Sequence, residues 1–308
     1  MTKNIGMKVP IVPILKPANS VDFHFESIEW LPLFSGVHHE LFHINRLEDY
    51  RDKLKFPLPP HRKTVYDFVF LKRGFSKRSK GLNHYTFGAG EFFFLPPYQI
   101  TTHEFMSADV EGYFCHFDPQ IFRTGLFQVS LDSFSFLQFL AHPLIKLSPT
   151  VQKPILNSLE RMYELYLQAQ KGDLELIVFY LLSLLSEVKK CVSSEAKNGQ
   201  SNSALHITQQ FKNALVQEIY RKQSIVEYAD LLNITPNHLN KCVKACTHKT
   251  AQDLLNEMLI LEAKSLLKYS NLQIAEIAVK LCNQTPSNFA RFFKSQTGLS
   301  PTQYLQID

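Results

Sequence analysis

Apolar residues change their spacing along the 308-residue chain, and each change marks a different kind of structure. Up to about residue 120 they come in short runs, such as Val65-Tyr-Asp-Phe-Val-Phe-Leu71, Glu91-Phe-Phe-Phe-Leu95 and Glu111-Gly-Tyr-Phe-Cys-His-Phe117. Runs of this length, punctuated by Gly88-Ala-Gly90 and Pro96-Pro97, predict buried strands joined by turns. Many short strands suggest a small barrel or sandwich. From 119 to about 191 the spacing becomes three and four: Val151, Ile155, Leu159, Met162, Tyr163, Tyr166, Leu167, then Leu176, Phe179, Tyr180, Leu182, Leu185, Val188. That period predicts amphipathic helices, which either cover the barrel or leave a stripe for a partner helix. Residues 192–204 hold almost nothing that fills a core, so a linker is expected there, between one domain at 1–191 and another at 205–308. The expected fold class is α+β, a β-barrel with flanking helices followed by an all-α domain.

The second domain repeats itself. Thr235-Pro-Asn-His-Leu-Asn-Lys-Cys-Val-Lys244 aligns with Thr285-Pro-Ser-Asn-Phe-Ala-Arg-Phe-Phe-Lys294 at an offset of fifty residues. Upstream, Ile225-Val-Glu-Tyr-Ala229 aligns with Ile274-Ala-Glu-Ile-Ala278 at forty-nine, so the second copy has one extra residue in its turn. Each copy reads as helix, turn, helix. Ser224 is placed to cap the first helix of copy one. Thr235 and Thr285 are placed to cap the second helices, with Pro236 and Pro286 at the first helical position, where a missing N–H costs nothing. Ala229 and Ala278 stand where two helices must pass closely. The periodic stretch from Thr250 to Lys268 predicts a long joining helix.

The faces of the second helices carry the chemistry. In copy one Leu239, Cys242 and Val243 form an apolar face, opposite Asn237, His238, Asn240, Lys241 and Lys244. In copy two the polar face holds Ser287, Asn288, Arg291 and Lys294. Neither polar face contains an acid. Asn pairs bidentately with adenine, Arg with guanine, and Lys with guanine or phosphate, while Thr235 and Thr285 open helix N-termini suited to phosphate. One such hairpin is compatible with an ordinary helical bundle. Two copies with matching caps, apolar positions and basic positions point to a double helix-turn-helix that binds double-stranded DNA.

Composition adds little to this. The net charge of +5 and pI near 8.8 permit a polyanionic partner without requiring one. The five cysteines include no Cys-x-x-Cys, and Cys242 and Cys246 read as packing residues, so no metal and no cofactor is expected. Met1 to Pro17 shows no signal peptide, and the most apolar run, Leu174 to Leu185, is shorter than the ~20 residues that span a bilayer. A cytoplasmic protein without membrane contact is expected.

The C-terminal residues resemble the AraC/XylS family of bacterial transcription regulators. Ile274-Ala-Glu-Ile-Ala278, Phe289-Ala-Arg-Phe-Phe-Lys294, Thr297-Gly-Leu-Ser-Pro301 and Tyr304 carry the likeness, with Leu261-Glu-Ala-Lys-Ser-Leu-Leu267 in the joining helix. Gly90-Glu-Phe-Phe-Phe-Leu-Pro-Pro-Tyr-Gln-Ile-Thr-Thr-His103 is similar to a strand pair of the family's cupin-like sensor. The resemblance implies base reading by Asn237, Asn240 and Lys241 in copy one and by Ser287, Asn288 and Arg291 in copy two. It also implies a homodimer, a small effector in the barrel, contact with RNA polymerase and an activating role. Three positions depart from the family pattern: Cys282-Asn283 replaces Gly-Phe, His248 replaces a Gly, and Met258 replaces an Arg. A differently shaped second turn is therefore expected.

An enzymatic barrel is the rival reading, and a barrel that serves only protein contacts is a third. Metal-binding cupins need a His-x-His pair, which this chain lacks. His38 and His39 are adjacent and point apart on a strand, and His24, His43, His61, His84, His103 and His116 show no ligand spacing. No nucleophile elbow, P-loop or dinucleotide fingerprint occurs, so no catalytic residue is assigned.

Overall fold

The computed structural model describes residues 12–25, 39–81, 83–123, 131–139, 141–168, 173–193 and 202–306. They divide into two compact units, Ile14–Asn198 and a second one formed by Gly199–Asp308 with Met1–Pro13. The expected linker coincides in part with helix at both ends: one helix runs to Ser193 and the next starts at Asn202. Its middle, 194–201, lies outside the described residues, as does His38.

The first unit contains two five-stranded sheets. One has the order β1 (Ile14–Leu15), β3 (Leu58–Lys63), β8 (Thr101–Met106), β5 (Phe75–Lys80), β6 (Asn83–Gly88). The other has the order β10 (Leu144–Lys146), β7 (Glu91–Leu95), β4 (Tyr66–Arg73), β9 (Glu111–Phe117), β2 (Phe42–Arg46). The three apolar runs of the sequence are β4, β7 and β9, the inner strands of this second sheet. Their apolar character is continuous because both faces are covered. Phe68, Phe70, Phe92, Phe94 and Phe117 face one core, shared with Ile155, Leu159, Met162, Ile177 and Leu181 of the helices α2 (Pro149–Gln168) and α3 (Asp173–Ser193). Val69, Leu71, Phe93 and Leu95 face a second core between the sheets, with Phe87 and Met106 of the opposite sheet. Gly112 on β9 is required by contact: a Cβ there would lie 2.1 Å from the Phe70 carbonyl oxygen.

The helices α2 and α3 therefore cover the sheet, as their period suggested. The stretch 119–148 is less helical than its spacing implied. It forms short 3-10 turns at Pro119–Arg123, Leu131–Ser133 and Ser135–Leu137, and then β10. Lys146 pairs with Glu91 and Leu144 with Phe93, so adding a strand to β7 outweighs local helical period. A short helix, α1 (Pro17–His24), precedes β2.

The second unit is all-α: α4 (Asn202–Glu218), α5 (Ile225–Leu231), α6 (Pro236–Thr247), α7 (Ala251–Tyr269), α8 (Ile274–Cys282), α9 (Pro286–Thr297) and α10 (Pro301–Leu305). The long α7 packs against α4, α5 and α6 and against α8, α9 and α10. Among the described residues no helix is long and apolar enough to cross a membrane.

Candidate nucleic-acid interface

Each repeat folds as the spacing predicts, with α5 and α6 forming the first helix-turn-helix and α8 and α9 the second. The caps are those expected. Ser224 accepts from the Glu227 N–H, and the Glu227 carboxylate returns the bond to Ser224 N at 2.9 Å. Two N–H groups and one hydroxyl draw down the Glu227 pKa: the bond from Gln223 N leads, the Ser224 hydroxyl adds to it, and the Ser224 N–H follows. Thr235 Oγ1 accepts from His238 N at 3.2 Å, and Thr285 Oγ1 from Asn288 N at 3.3 Å. Ala229 and Ala278 are fully buried where the paired helices meet.

The two turns close on matching atoms. Asn233 (φ 55°) and Asn283 (φ 46°) both take the left-handed conformation, each two residues before a threonine cap. Asparagine tolerates this region better than most residues, so Asn283 does what a glycine would do. Ile234 N donates to Ala229 O at 3.0 Å, and Gln284 N donates to Ala278 O at 3.2 Å. The first bond spans five residues and the second six. The extra residue is thus absorbed in the last turn of α8, between the packing alanine and the left-handed asparagine. The turn itself, from asparagine to threonine, is alike in both copies. The two C-terminal ends of α6 and α9 also match, with His248 (φ 59°) and Gly298 (φ 78°) both left-handed and bonded to the carbonyls of Lys244 and Lys294.

The inner faces are apolar. Leu239, Cys242 and Val243 of α6 are buried, as are Phe289 and Phe293 of α9. Phe293 meets Tyr304 of α10 edge-on at 5.6 Å, which locks the C-terminal end of α9. Burial raises the Cys242 thiol pKa, in keeping with a packing role. Met258, in place of an arginine, is buried in α7.

The outer faces are polar and open. Thr235, Asn237, His238, Lys241 and Lys244 are exposed on α6, and Thr285, Ser287, Asn288, Arg291 and Lys294 on α9. Among the described residues Lys241, Lys244, Arg291 and Lys294 enter no ion pair; Arg291 Nη2 donates only to Asn288 Oδ1, at 3.3 Å. His238 lies 3.8 Å from the Cys242 thiol. Asn240 differs from its neighbours. It is half-buried, and its Oδ1 accepts from Ala251 N at 3.0 Å, which ties α6 to the start of α7. No sequence signal announced this, because it depends on how α7 turns back over α6.

Residues 228–307 match a family model described as a helix-turn-helix domain. The C-terminal unit carries an AraC-type helix-turn-helix domain. Such domains bind DNA in transcription regulators. The chain is similar to the HTH-type transcriptional regulator YisR of Bacillus subtilis, 22% identical over 259 residues, covering 79% of this chain and 86% of that one. It is also similar to the HTH-type transcriptional regulator YobQ of the same organism, 25% identical over 130 residues, covering 39% of this chain. That match spans only about half (54%) of YobQ. Among solved structures, ToxT from Vibrio cholerae is 16% identical, covering 86% of this chain and 98% of that one, with a TM-score of 0.38. His248, which stands where the family pattern has a glycine, keeps the left-handed backbone; in the second turn Asn283, the residue after Cys282, takes it.

The first unit holds a cavity of about 60 Å³ between its sheets. Apolar lining comes from Leu15, Phe25, Leu58, Val69 and Met106. His24, His61, His103 and His116 line it too, although 92 residues of chain and no regular spacing separate the first from the last. Lys63 and Arg78 share Asp67, at 3.0 and 3.3 Å. Burial acts to raise the Asp67 pKa, but Lys63 and Arg78 outweigh it and hold the carboxylate ionised. Among the described residues no group of three His, Cys, Asp or Glu could hold a metal ion.

Proposed function

We propose that the protein is a dimeric, sequence-specific regulator that reads promoter DNA with α6 and α9 and is controlled by a small effector held between the two sheets. The observation that carries this is the pair of matched reading helices, whose outward faces hold unpaired Lys241, Lys244, Arg291 and Lys294 and no acid. At ~1.5 Å per residue, the 19 residues of α7 extend roughly 28 Å, close to one turn of the duplex, so both helices can enter successive major grooves. Asn237, Lys241 and Asn288 with Arg291 are the base readers. Lys244, Lys294 and the helix starts at Thr235 and Thr285 serve the phosphates. Asn240 has only its Nδ2 left for a base, and Ser287 and His238 flank the contact.

The cavity supports the effector over a barrel that serves only protein contacts. Dimerisation is proposed through α2 and α3, where Leu167, Leu176 and Phe179 are exposed at 48%, 45% and 43%. Activation through RNA polymerase, in the cytoplasm, completes the reading. Binding-site mapping across a genome identifies the promoter, and variants then test the assignment on it. Arg291→Ala is expected to cost ~1–3 kcal/mol and relax specificity at one position. Lys244→Ala and Lys294→Ala should weaken all sequences alike and lower the salt slope by about 1 each. Unchanged binding in all three variants would falsify the assignment of the reading helices.

A further inference from the structure

The wall of the cavity between the sheets has a directional hydrogen-bonding pattern. His24 Nδ1 faces the Ser20 carbonyl at 2.5 Å, His61 Nδ1 the Pro59 carbonyl at 2.8 Å, and His116 Nε2 the His39 carbonyl at 2.9 Å. A carbonyl oxygen only accepts, so each of these nitrogens carries the proton. Ser76 Oγ donates to the Phe105 carbonyl at 3.1 Å and so accepts from His103 Nε2 at 2.8 Å. His61, His103 and His116 are buried and His24 is half-buried, and desolvation keeps the rings neutral, His61 and His116 with pKa values of about 3. A neutral imidazole that has given its one N–H to the protein keeps a bare lone pair on the other nitrogen. The wall therefore presents up to four neutral acceptors: His24 Nε2, His61 Nε2, His103 Nδ1 and His116 Nδ1.

The donors on the same wall are cationic. Lys63 and Arg78 have one carboxylate between them, Asp67, and Lys16 lines the cavity as well, so the wall is cationic. Arg78 Nε and His61 Nε2 are both buried without a hydrogen-bond partner, in side chains 3% and 0% exposed. One is a charged donor and the other a neutral acceptor. Buried groups of this kind are costly when unpaired, so a complementary ligand gains by pairing both.

Resting on the effector reading above, we infer that this cavity takes a small hydroxy-carboxylate with an apolar body. Its carboxylate meets Arg78 and Lys63, and its hydroxyl donates to the imidazole nitrogens, His61 Nε2 foremost. The apolar body lies on Leu58, Val69 and Phe114. A hydrocarbon leaves both orphan atoms unpaired.

The test uses the full chain without DNA, by titration calorimetry with matched probes. Mandelate and 3-phenyllactate carry both groups, phenylacetate and 3-phenylpropionate lack the hydroxyl, and 1-phenylethane-1,2-diol lacks the carboxylate. A hydroxy acid should bind about tenfold or more tightly than either incomplete partner. Arg78→Met should remove the preference for the carboxylate, and His61→Phe the preference for the hydroxyl alone. His61→Phe keeps the test decisive if Arg78→Met fails to fold, since Asp67 depends on that arginine. The inference is overturned if neither hydroxy acid binds, if an incomplete probe binds equally well, or if His61→Phe leaves the preference intact. A hydroxy acid that binds with the expected preference but leaves promoter affinity unchanged supports the ligand class and refutes the effector role instead.

Discussion

Asn240 separates holding the reading helix from reading with it. Its Oδ1 receives the first helical N–H of α7, that of Ala251, at 3.0 Å. Thr250 and Asp253 satisfy two more N–H groups there through a capping box, at 2.9 and 3.1 Å. Asn240→Ala removes one such bond, worth ~1 kcal/mol net, and strands a half-buried N–H, so the total cost is about 1–2 kcal/mol. For a unit of roughly 100 residues that lowers its melting temperature by about 5–10 °C. Asn240→Asp keeps the acceptor and adds a negative charge at a helix N-terminus, which is favourable by ~0.3–1 kcal/mol, so the melting temperature should hold or rise. The same charge opposes phosphate, and DNA affinity should fall at least tenfold. Asn237→Ala, on an exposed side chain, should change stability by under ~0.5 kcal/mol and act on DNA binding alone. Calorimetry on the full chain and fluorescence anisotropy with the mapped promoter measure the two effects. The reasoning fails if Asn240→Asp melts as low as Asn240→Ala, or if Asn240→Ala melts with the wild type.

Other expectations follow from the same structure. His248→Gly should raise stability by ~0.5–1 kcal/mol, because relief of the left-handed strain exceeds the added chain entropy, and thermal melting reads it. A decrease would mean that the exposed imidazole makes a contact of its own. The first unit should lose stability in acid. His61 and His116 have folded pKa values of about 3, below the unfolded value near 6.5, so the unfolded chain binds more protons. Their contribution is complete above pH 6.5 and is lost as pH falls toward 3, by about 2 kcal/mol each at pH 5, visible in denaturant unfolding against pH. A flat profile between pH 7 and 4.5 would remove the claim that the rings are held neutral. Phe179→Glu should shift the protein from dimer to monomer in sedimentation without lowering the melting temperature of the second unit. A persistent dimer would place the interface elsewhere.

The sequence alone determined the two helix-turn-helix copies of the second unit and the helix that joins them. From α5 onward its helices are capped by adjacent residues and joined by turns of three or four residues. The signals that define them therefore lie within a few positions of each other: Thr-Pro at 235 and 285, and the alanines at 229 and 278. The inner strands of the sheet were legible for a similar reason, since burial on both faces writes an unbroken apolar run into β4, β7 and β9. Tertiary structure decided what depends on distant partners. The stretch before α2 gives up helical spacing for a strand because Glu91–Leu95 offers an edge. Asn240 is drawn from the reading face toward α7 by a chain reversal that no local pattern encodes. The cavity is the clearest case. His24, His61, His103 and His116 come from α1, β3, β8 and β9, and only the closing of two sheets makes them one wall. Their bonding direction depends on which backbone carbonyl each ring meets, and spacing along the chain carries no record of that.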